Sequence, residues 1–292
     1  MCIRNYIDVD RRHMTWKDFT CIVDKLEGAE QISLAGMGES LLHPRFFDAV
    51  EYCKMKGYKV QLTTNSLMLG KPGIIERILV SGLDSISFSI ESIHGYQETG
   101  HDNQTGLQSI ERLLALRNQQ GYLAPKVVLQ PILFKDKIQD LIDIIHWGYQ
   151  KGVNRFNIVR VDLRFVKDMQ RPSVSEEKEI FKEFAKLRKQ YGVRIDCLQD
   201  QIFDGLLGKM YRYFKPILRL DDWCYRFQDF IYINVNGDVH PCCLDKEQVV
   251  GNLLTQDLKS VWHGEKFSYL RKNQEKFSYC QTCDFLRLKQ VV

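Results

Sequence analysis

The 292-residue chain sets 41 Lys and Arg against 37 Asp and Glu, a net charge of only +4, with 44% hydrophobic and 27% charged residues. That balance is ordinary for a globular fold and too weakly basic for a nucleic-acid footprint, so no nucleic-acid partner is expected. No apolar run reaches the roughly 18 residues that span a bilayer, and no basic segment followed by an apolar one opens the chain. No membrane partner is expected, and the cytoplasm is the expected compartment.

In chain order, MTWKDFTCIVDKLEG predicts a helix beginning at Thr15, with Asp18 placed as in a capping box and Gly28 just past the end. QISLAG (31–36) reads as a short buried strand. The alternation then repeats: helix 44–57, strand 58–64, helix 73–81, strand 85–90, helix 105–120, strand 126–132, helix 136–151, strand 155–161 and helix 174–190. Strands and helices in alternation predict parallel strands with right-handed crossovers, in a β/α barrel or a doubly wound sheet. In either, polar residues at the carboxyl ends of strands face a ligand. The rhythm stops near 195, and 200–222 reads as irregular or helical. DFIYINVNGDVHPCC then predicts a hairpin with a two-residue loop at Asn236-Gly237. A helix over 256–272 and a cysteine-bearing tail follow. The expected division is a barrel over 1–195, a connecting segment 196–222 and a small domain 223–292.

Nine cysteines lie at 2, 21, 53, 197, 224, 242, 243, 280 and 283. Cys21, Cys53 and Cys197 sit in apolar patterns and read as small buried hydrophobes. The C-terminal group is different. Cys280-Gln-Thr-Cys283 is a C-x-x-C pair, Cys242 follows the hairpin, and Cys224 enters it. Four thiolates suit zinc or an iron–sulfur cluster, as a working centre or as a staple that holds the tail. Cys243, next to Cys242, reads as packing or a spare ligand.

Cys224, Gly237-x4-Cys242, Val-Val-Gly-Asn-Leu (249–253), Val261-Trp262 and Cys280-x-x-Cys283 together resemble the SPASM/Twitch extension of radical SAM enzymes. The resemblance implies an auxiliary 4Fe-4S cluster on Cys224, Cys242, Cys280 and Cys283. It continues upstream. Gly36-Met-Gly38-Glu39 resembles the turn whose acid binds the ammonium of S-adenosylmethionine, with Ser40 in place of the usual proline. LTTNS resembles a T-T-N-G turn, which implies Thr64 and Asn65 at the barrel mouth and Ser66 where glycine is usual. FSIES resembles S-I-D-G, which implies Ser89 and Glu91 near the ribose. Gln130 and Arg160 fall where the family contacts polar groups of the same cofactor. Taken singly, each of these reads first as a capping or solvated loop residue; taken in order, at the ends of successive strands, they do not.

The resemblance implies an α/β fold, a partial (β/α)6 barrel followed by a small cysteine-rich hairpin and helix domain. It implies a radical SAM enzyme, an oxidoreductase or maturase. A 5′-deoxyadenosyl radical would abstract hydrogen from a peptide or small-molecule substrate, with electrons from a reductant such as flavodoxin or ferredoxin. The family's C-x-x-x-C-x-Φ-C motif is met only by Met1-Cys2. This implies that Cys2 is its third ligand and that two ligands and the first strand lie upstream of an N-terminally truncated chain. The rival readings are a non-catalytic iron–sulfur or zinc-binding barrel, acting as scaffold or electron carrier, and an unrelated β/α barrel enzyme with a zinc-bound tail.

Overall fold

The computed structural model describes residues 10–94, 103–163, 170–197, 210, 214, 224, 226–244, 247–281 and 283. The chain divides into two compact units, one of residues 1–9 and 30–200 and the other of 10–29 and 201–292. The first described element, α1 (Trp16–Val23), thus belongs with the C-terminal unit. Thr15 caps it by accepting from the Asp18 N–H at 3.1 Å, and its hydroxyl donates to the Asp18 carboxylate at 2.7 Å.

The larger unit runs β1 (Gln31–Ser33), α2 (Phe46–Met55), β2 (Lys59–Thr64), α3 (Ile74–Val80), β3 (Ser85–Ser89) and α4 (Asn103–Gln119). It continues with β4 (Lys126–Gln130), β5 (Ile132–Leu133), α5 (Ile138–Gln150), β6 (Arg155–Arg160), α6 (Val174–Tyr191) and β7 (Arg194–Cys197). Every strand pair is parallel. β1 to β4 are neighbours in sequence order, and β6 pairs with β4, β5 and β7. The six principal strands form a curled parallel half-barrel, which decides between the two architectures the alternation left open.

Alternation along each strand builds the core. Val60, Leu62, Ile86, Phe88, Leu129, Phe156, Ile158 and Ile195 are buried. Gln61, Thr63, Ser85, Ser87 and Asn157, offset by one, are polar and only partly covered. A period of two makes one face of the sheet apolar and leaves the other to polar groups. Helix α5 comes very close to the sheet: a Cβ on Gly148 would lie 2.7 Å from Leu129 and Phe156 side-chain atoms.

Several expectations are corrected. The strand at 31–36 is only three residues long and half-exposed, not a buried run, and among the described residues it pairs on one side only, with β2. Strand 126–132 is interrupted at Pro131, which has no N–H to give, although its carbonyl accepts from Val159 at 3.0 Å. β7, beyond the point where the rhythm was expected to stop, adds a sixth strand. Cys53 and Cys197 are buried as expected, but Cys21 is only half-buried. Apart from Met210 and Phe214, the segment 200–222 lies outside the described residues.

In the second unit, α7 (Arg226–Asp229) precedes a three-stranded antiparallel sheet of β8 (Tyr232–Ile233), β9 (Asp238–His240) and β10 (Gly251–Asn252). The hairpin loop has three residues rather than two. Asn234 N–H donates to Asp238, Gly237 N–H donates to Asn234, and Gly237 is left-handed at φ 80°. That is a type I turn closed by a glycine bulge. The single helix expected over 256–272 is two, α8 (Leu258–His263) and α9 (Glu265–Lys272). They are broken where Gly264 is extended and a Cβ would lie 2.8 Å from the Ser260 carbonyl. A short turn at Gln274–Lys276 leads to α10 (Ser278–Gln281). No helix among the described residues is long and apolar enough to cross a membrane.

Candidate functional site

The first cluster forms where β1 and β2 end. Glu39 caps the 3-10 turn Ser40–Leu42 by accepting from the Leu41 N–H at 3.1 Å. Its other carboxylate oxygen accepts from the Thr64 hydroxyl at 2.9 Å and from the Asn65 N–H at 3.0 Å. The G-x-G-E and T-T-N segments, 25 residues apart in sequence for the Glu39–Thr64 pair, therefore meet on one carboxylate. Two oxygens offer about four acceptor positions, and three are in use. Thr64 is buried at 2% exposure, while Glu39 is half-buried and Asn65 is exposed. Gly36 is exposed, is not left-handed, and would meet nothing within 4 Å if it carried a Cβ. Gly38 is also exposed.

Ser66 explains why glycine suits this turn. Its φ is 66°, a left-handed backbone that costs a side-chain-bearing residue about 1–2 kcal/mol. The hydroxyl is accommodated because α4 places Gly106 opposite, where a Cβ would lie 2.5 Å from Ser66 Oγ.

A second polar row crosses the ends of the next strands. Ser89 and Gln130 are register partners on β3 and β4. Gln130 Oε1 accepts from Asn157 Nδ2 on β6 at 3.1 Å. Glu91, just past β3 and only partly exposed, accepts from the Ile132 N–H at 2.9 Å. Burial pushes its carboxyl up to about 7, against the smaller opposing pull of that hydrogen bond. Glu91 therefore changes charge near neutrality. Arg160, expected at a cofactor contact, is paired within the protein. Its guanidinium is 7% exposed and pairs with the fully buried Glu177 of α6, with Nε–Oε1 at 2.8 Å and Nη2–Oε2 at 3.0 Å. Asn157 and Glu177 were missed because their partners lie on other elements.

The third cluster is sulfur. Cys224 is buried, and Cys242, Cys243, Cys280 and Cys283 are half-buried; none takes part in a disulfide. Cys283 N–H closes a turn onto the Cys280 carbonyl at 3.1 Å. The Leu244 N–H points at Cys242 Sγ at 3.5 Å. Cys243 lies beside Tyr232, whose phenol is pushed up by burial first and by this cysteine second. Among the described residues no three His, Cys, Asp or Glu side chains converge as the ligands of a single ion would. Four thiols in one unit fit the donor set of an iron–sulfur cluster. Cys2 lies outside the described residues. A groove of about 450 Å³ between α5 and α6, lined by Ile138, Ile142, Ile180 and three glutamates, shares no residue with these clusters.

Residues 224–284 match SPASM, an iron-sulfur cluster-binding domain, and the match encloses all four cysteines. The chain superposes on Streptococcus suis SuiB bound to S-adenosylmethionine with a TM-score of 0.71, at 17% identity over 98% of this chain and 68% of that one. Native anSMEcpe with bound AdoMet and Kp18Cys peptide gives 0.66, at 16% identity over 97% and 82%. The fold is thus that of a radical SAM half-barrel, followed by a C-terminal segment that matches the SPASM domain. Among curated proteins, the chain is 21% identical to the tungsten-containing aldehyde ferredoxin oxidoreductase cofactor-modifying protein of Pyrococcus furiosus. That alignment takes in 100% of this chain and 86% of the relative.

Proposed function

We propose that the chain is the body of a radical SAM maturase or oxidoreductase that acts on a peptide or small-molecule substrate, supplied with electrons by a flavodoxin- or ferredoxin-type reductant in the cytoplasm. The observation that carries this reading is the convergence of Glu39 with Thr64 and Asn65 at the ends of β1 and β2. The hydroxyl and two N–H groups fix the carboxylate before any ligand arrives, so its remaining acceptor position can take an ammonium without reorganising. Ser89 and Glu91 offer a hydroxyl and a carboxyl, suited to the two hydroxyls of a ribose, and Gln130 borders them. Arg160 acts at one remove, tying β6 to α6 through Glu177.

Cys224, Cys242, Cys280 and Cys283 would hold the auxiliary cluster, and Cys2 would give one thiolate to the cluster that binds S-adenosylmethionine. Bound together, the latter cluster and S-adenosylmethionine supply a 5′-deoxyadenosyl radical able to abstract hydrogen. The substrate class is supported by the relatives: one neighbour was solved with a peptide, and the Pyrococcus furiosus relative is named for modifying a cofactor.

The test is anaerobic reconstitution of the full chain with iron and sulfide, followed by metal analysis and calorimetric titration with S-adenosylmethionine. Expected are about four irons lost on Cys224→Ala and about tenfold weaker binding of S-adenosylmethionine by Glu39→Gln, worth about 1.4 kcal/mol. Zinc in place of iron would overturn the reading in favour of a zinc-stapled barrel, and failure of S-adenosylmethionine to bind a chain extended upstream to carry the full C-x-x-x-C-x-Φ-C motif would overturn it in favour of a non-catalytic barrel.

A further inference from the structure

Around Cys224 the backbone is held by a closed ring of four hydrogen bonds. The Cys224 N–H donates to Gln274 Oε1 at 2.6 Å, and Gln274 Nε2 donates to the Arg271 carbonyl at 3.2 Å. Arg271 Nε donates to the Phe227 carbonyl at 2.9 Å, and the Phe227 N–H returns to the Cys224 carbonyl at 3.1 Å. Both backbone groups of the first cysteine are thus bound within one circuit.

The circuit is buried and rigidly backed. Gln274 is wholly buried at 0% exposure, an unusual place for a glutamine unless both ends of its amide are bonded. Arg271 lies over the Phe267 ring at 3.9 Å and the Trp262 ring at 4.3 Å, and it also donates to the Trp262 carbonyl at 2.7 Å. Gln274 opens the short turn that leads into α10, which carries Cys280. The circuit therefore spans about 50 residues of chain and links the segment entering the hairpin with the one bearing the C-x-x-C pair.

We propose that Gln274 is a positioning residue for the iron–sulfur centre of this unit. Its amide fixes the backbone of Cys224 relative to the Cys280–Cys283 segment and ties down the Cys224 N–H at the Gln274 oxygen. The proposal rests on the reading that the four cysteines hold a cluster. Two consequences follow. Loss of the acceptor loosens one ligand of four, and outer partners of metal ligands typically cost about 10–100-fold in affinity when removed. Release of the Cys224 N–H also changes the hydrogen bonding near the cluster sulfurs, one of the factors that set its potential.

The experiment uses the full chain, reconstituted anaerobically, as wild type, Gln274→Leu and Gln274→Glu. Thermal melts of each without iron are recorded beside iron content, rate of bleaching by an iron chelator, and midpoint potential. Gln274→Leu is expected to bleach about 10–100-fold faster than wild type. Gln274→Glu keeps an oxygen for the Cys224 N–H. It is expected to retain iron and near wild-type bleaching. Should Gln274→Leu fail to fold, the glutamate variant decides alone. If it folds like wild type yet loses iron, the proposal is overturned. Wild-type bleaching and potential in a folded Gln274→Leu would overturn it equally. If the wild-type chain takes up no iron, the cluster reading itself fails; iron in the wild type with silent variants fails the positioning role alone.

Discussion

The carboxylate site in the half-barrel and the thiol site in the SPASM unit are prepared in opposite ways. At Glu39 the functional group itself is fixed, with three of its acceptor positions already taken by Leu41, Thr64 and Asn65. In the cysteine unit it is the backbone around Cys224 that is held, through Gln274 and Arg271. A hard, charged group can be oriented by hydrogen bonds alone. Soft thiolates are oriented by the metal they bind, so the protein need only bring their backbones into range.

Stripping iron from the reconstituted chain should separate the two regions most strongly. Amide exchange in 224–283 is expected to accelerate by about tenfold or more, because ligand binding stabilises only the state that binds, while β2, β3 and β4 stay unchanged. Equal acceleration in both would break the comparison. Next comes Glu177→Ala, which removes the buried carboxylate paired with the Arg160 guanidinium and should cost about 3–5 kcal/mol in denaturant melts. Replacing both residues with hydrophobes of similar size should cost much less. Glu39→Ala removes charge-assisted hydrogen bonds from a half-buried group and should cost about 1–3 kcal/mol without iron or S-adenosylmethionine present. A neutral result there would mean that the mouth is not preorganised.

Glu91 gives a smaller effect that depends on pH. With its folded pKa raised to about 7 by burial, the folded state holds a proton that the unfolded state gives up near the ordinary 4.5. The contribution to stability is complete below that ordinary value and disappears as pH rises through about 7. Glu91→Gln should therefore flatten the decline in unfolding midpoint across this window. The smallest effect concerns the turn after β2. Ser66→Gly should stabilise by about 1 kcal/mol by relieving the left-handed serine. Gly106→Ala, damaging alone because its Cβ meets Ser66 Oγ, should be tolerated in the Ser66→Gly background, as a double-mutant cycle would read.

The alternation of strand and helix, the cysteine-rich tail and the separate G-x-G-E and T-T-N motifs were legible in the sequence, since each rests on local period or on a short motif; that Glu39 bonds to Thr64 and Asn65 was not. What escaped depends on partners far along the chain. β7 is four residues that become a strand by pairing with β6. The break at Gly264 looks like one more residue of an amphipathic helix until its extended backbone is known. The pairing of Arg160 with Glu177 on α6 is visible only in the fold. Gln274 has no motif at all; its role exists only because Cys224 comes to it.

The assignment of residues 10–29 to the C-terminal unit carries a consequence for how the chain is made. Arg12 bonds to Asn236 and Lys25 to the Leu253 carbonyl, contacts separated by 224 and 228 residues. A ribosome therefore releases α1 long before its partners exist, and the half-barrel can fold in the interval as an insertion between the two pieces of its neighbour. Closing so long a loop is slow and is best done once the inserted unit has shortened the distance between its ends. The cysteine unit is thus the last part of the molecule to be completed, and cutting the gene at residue 223 would sever it from its own first helix.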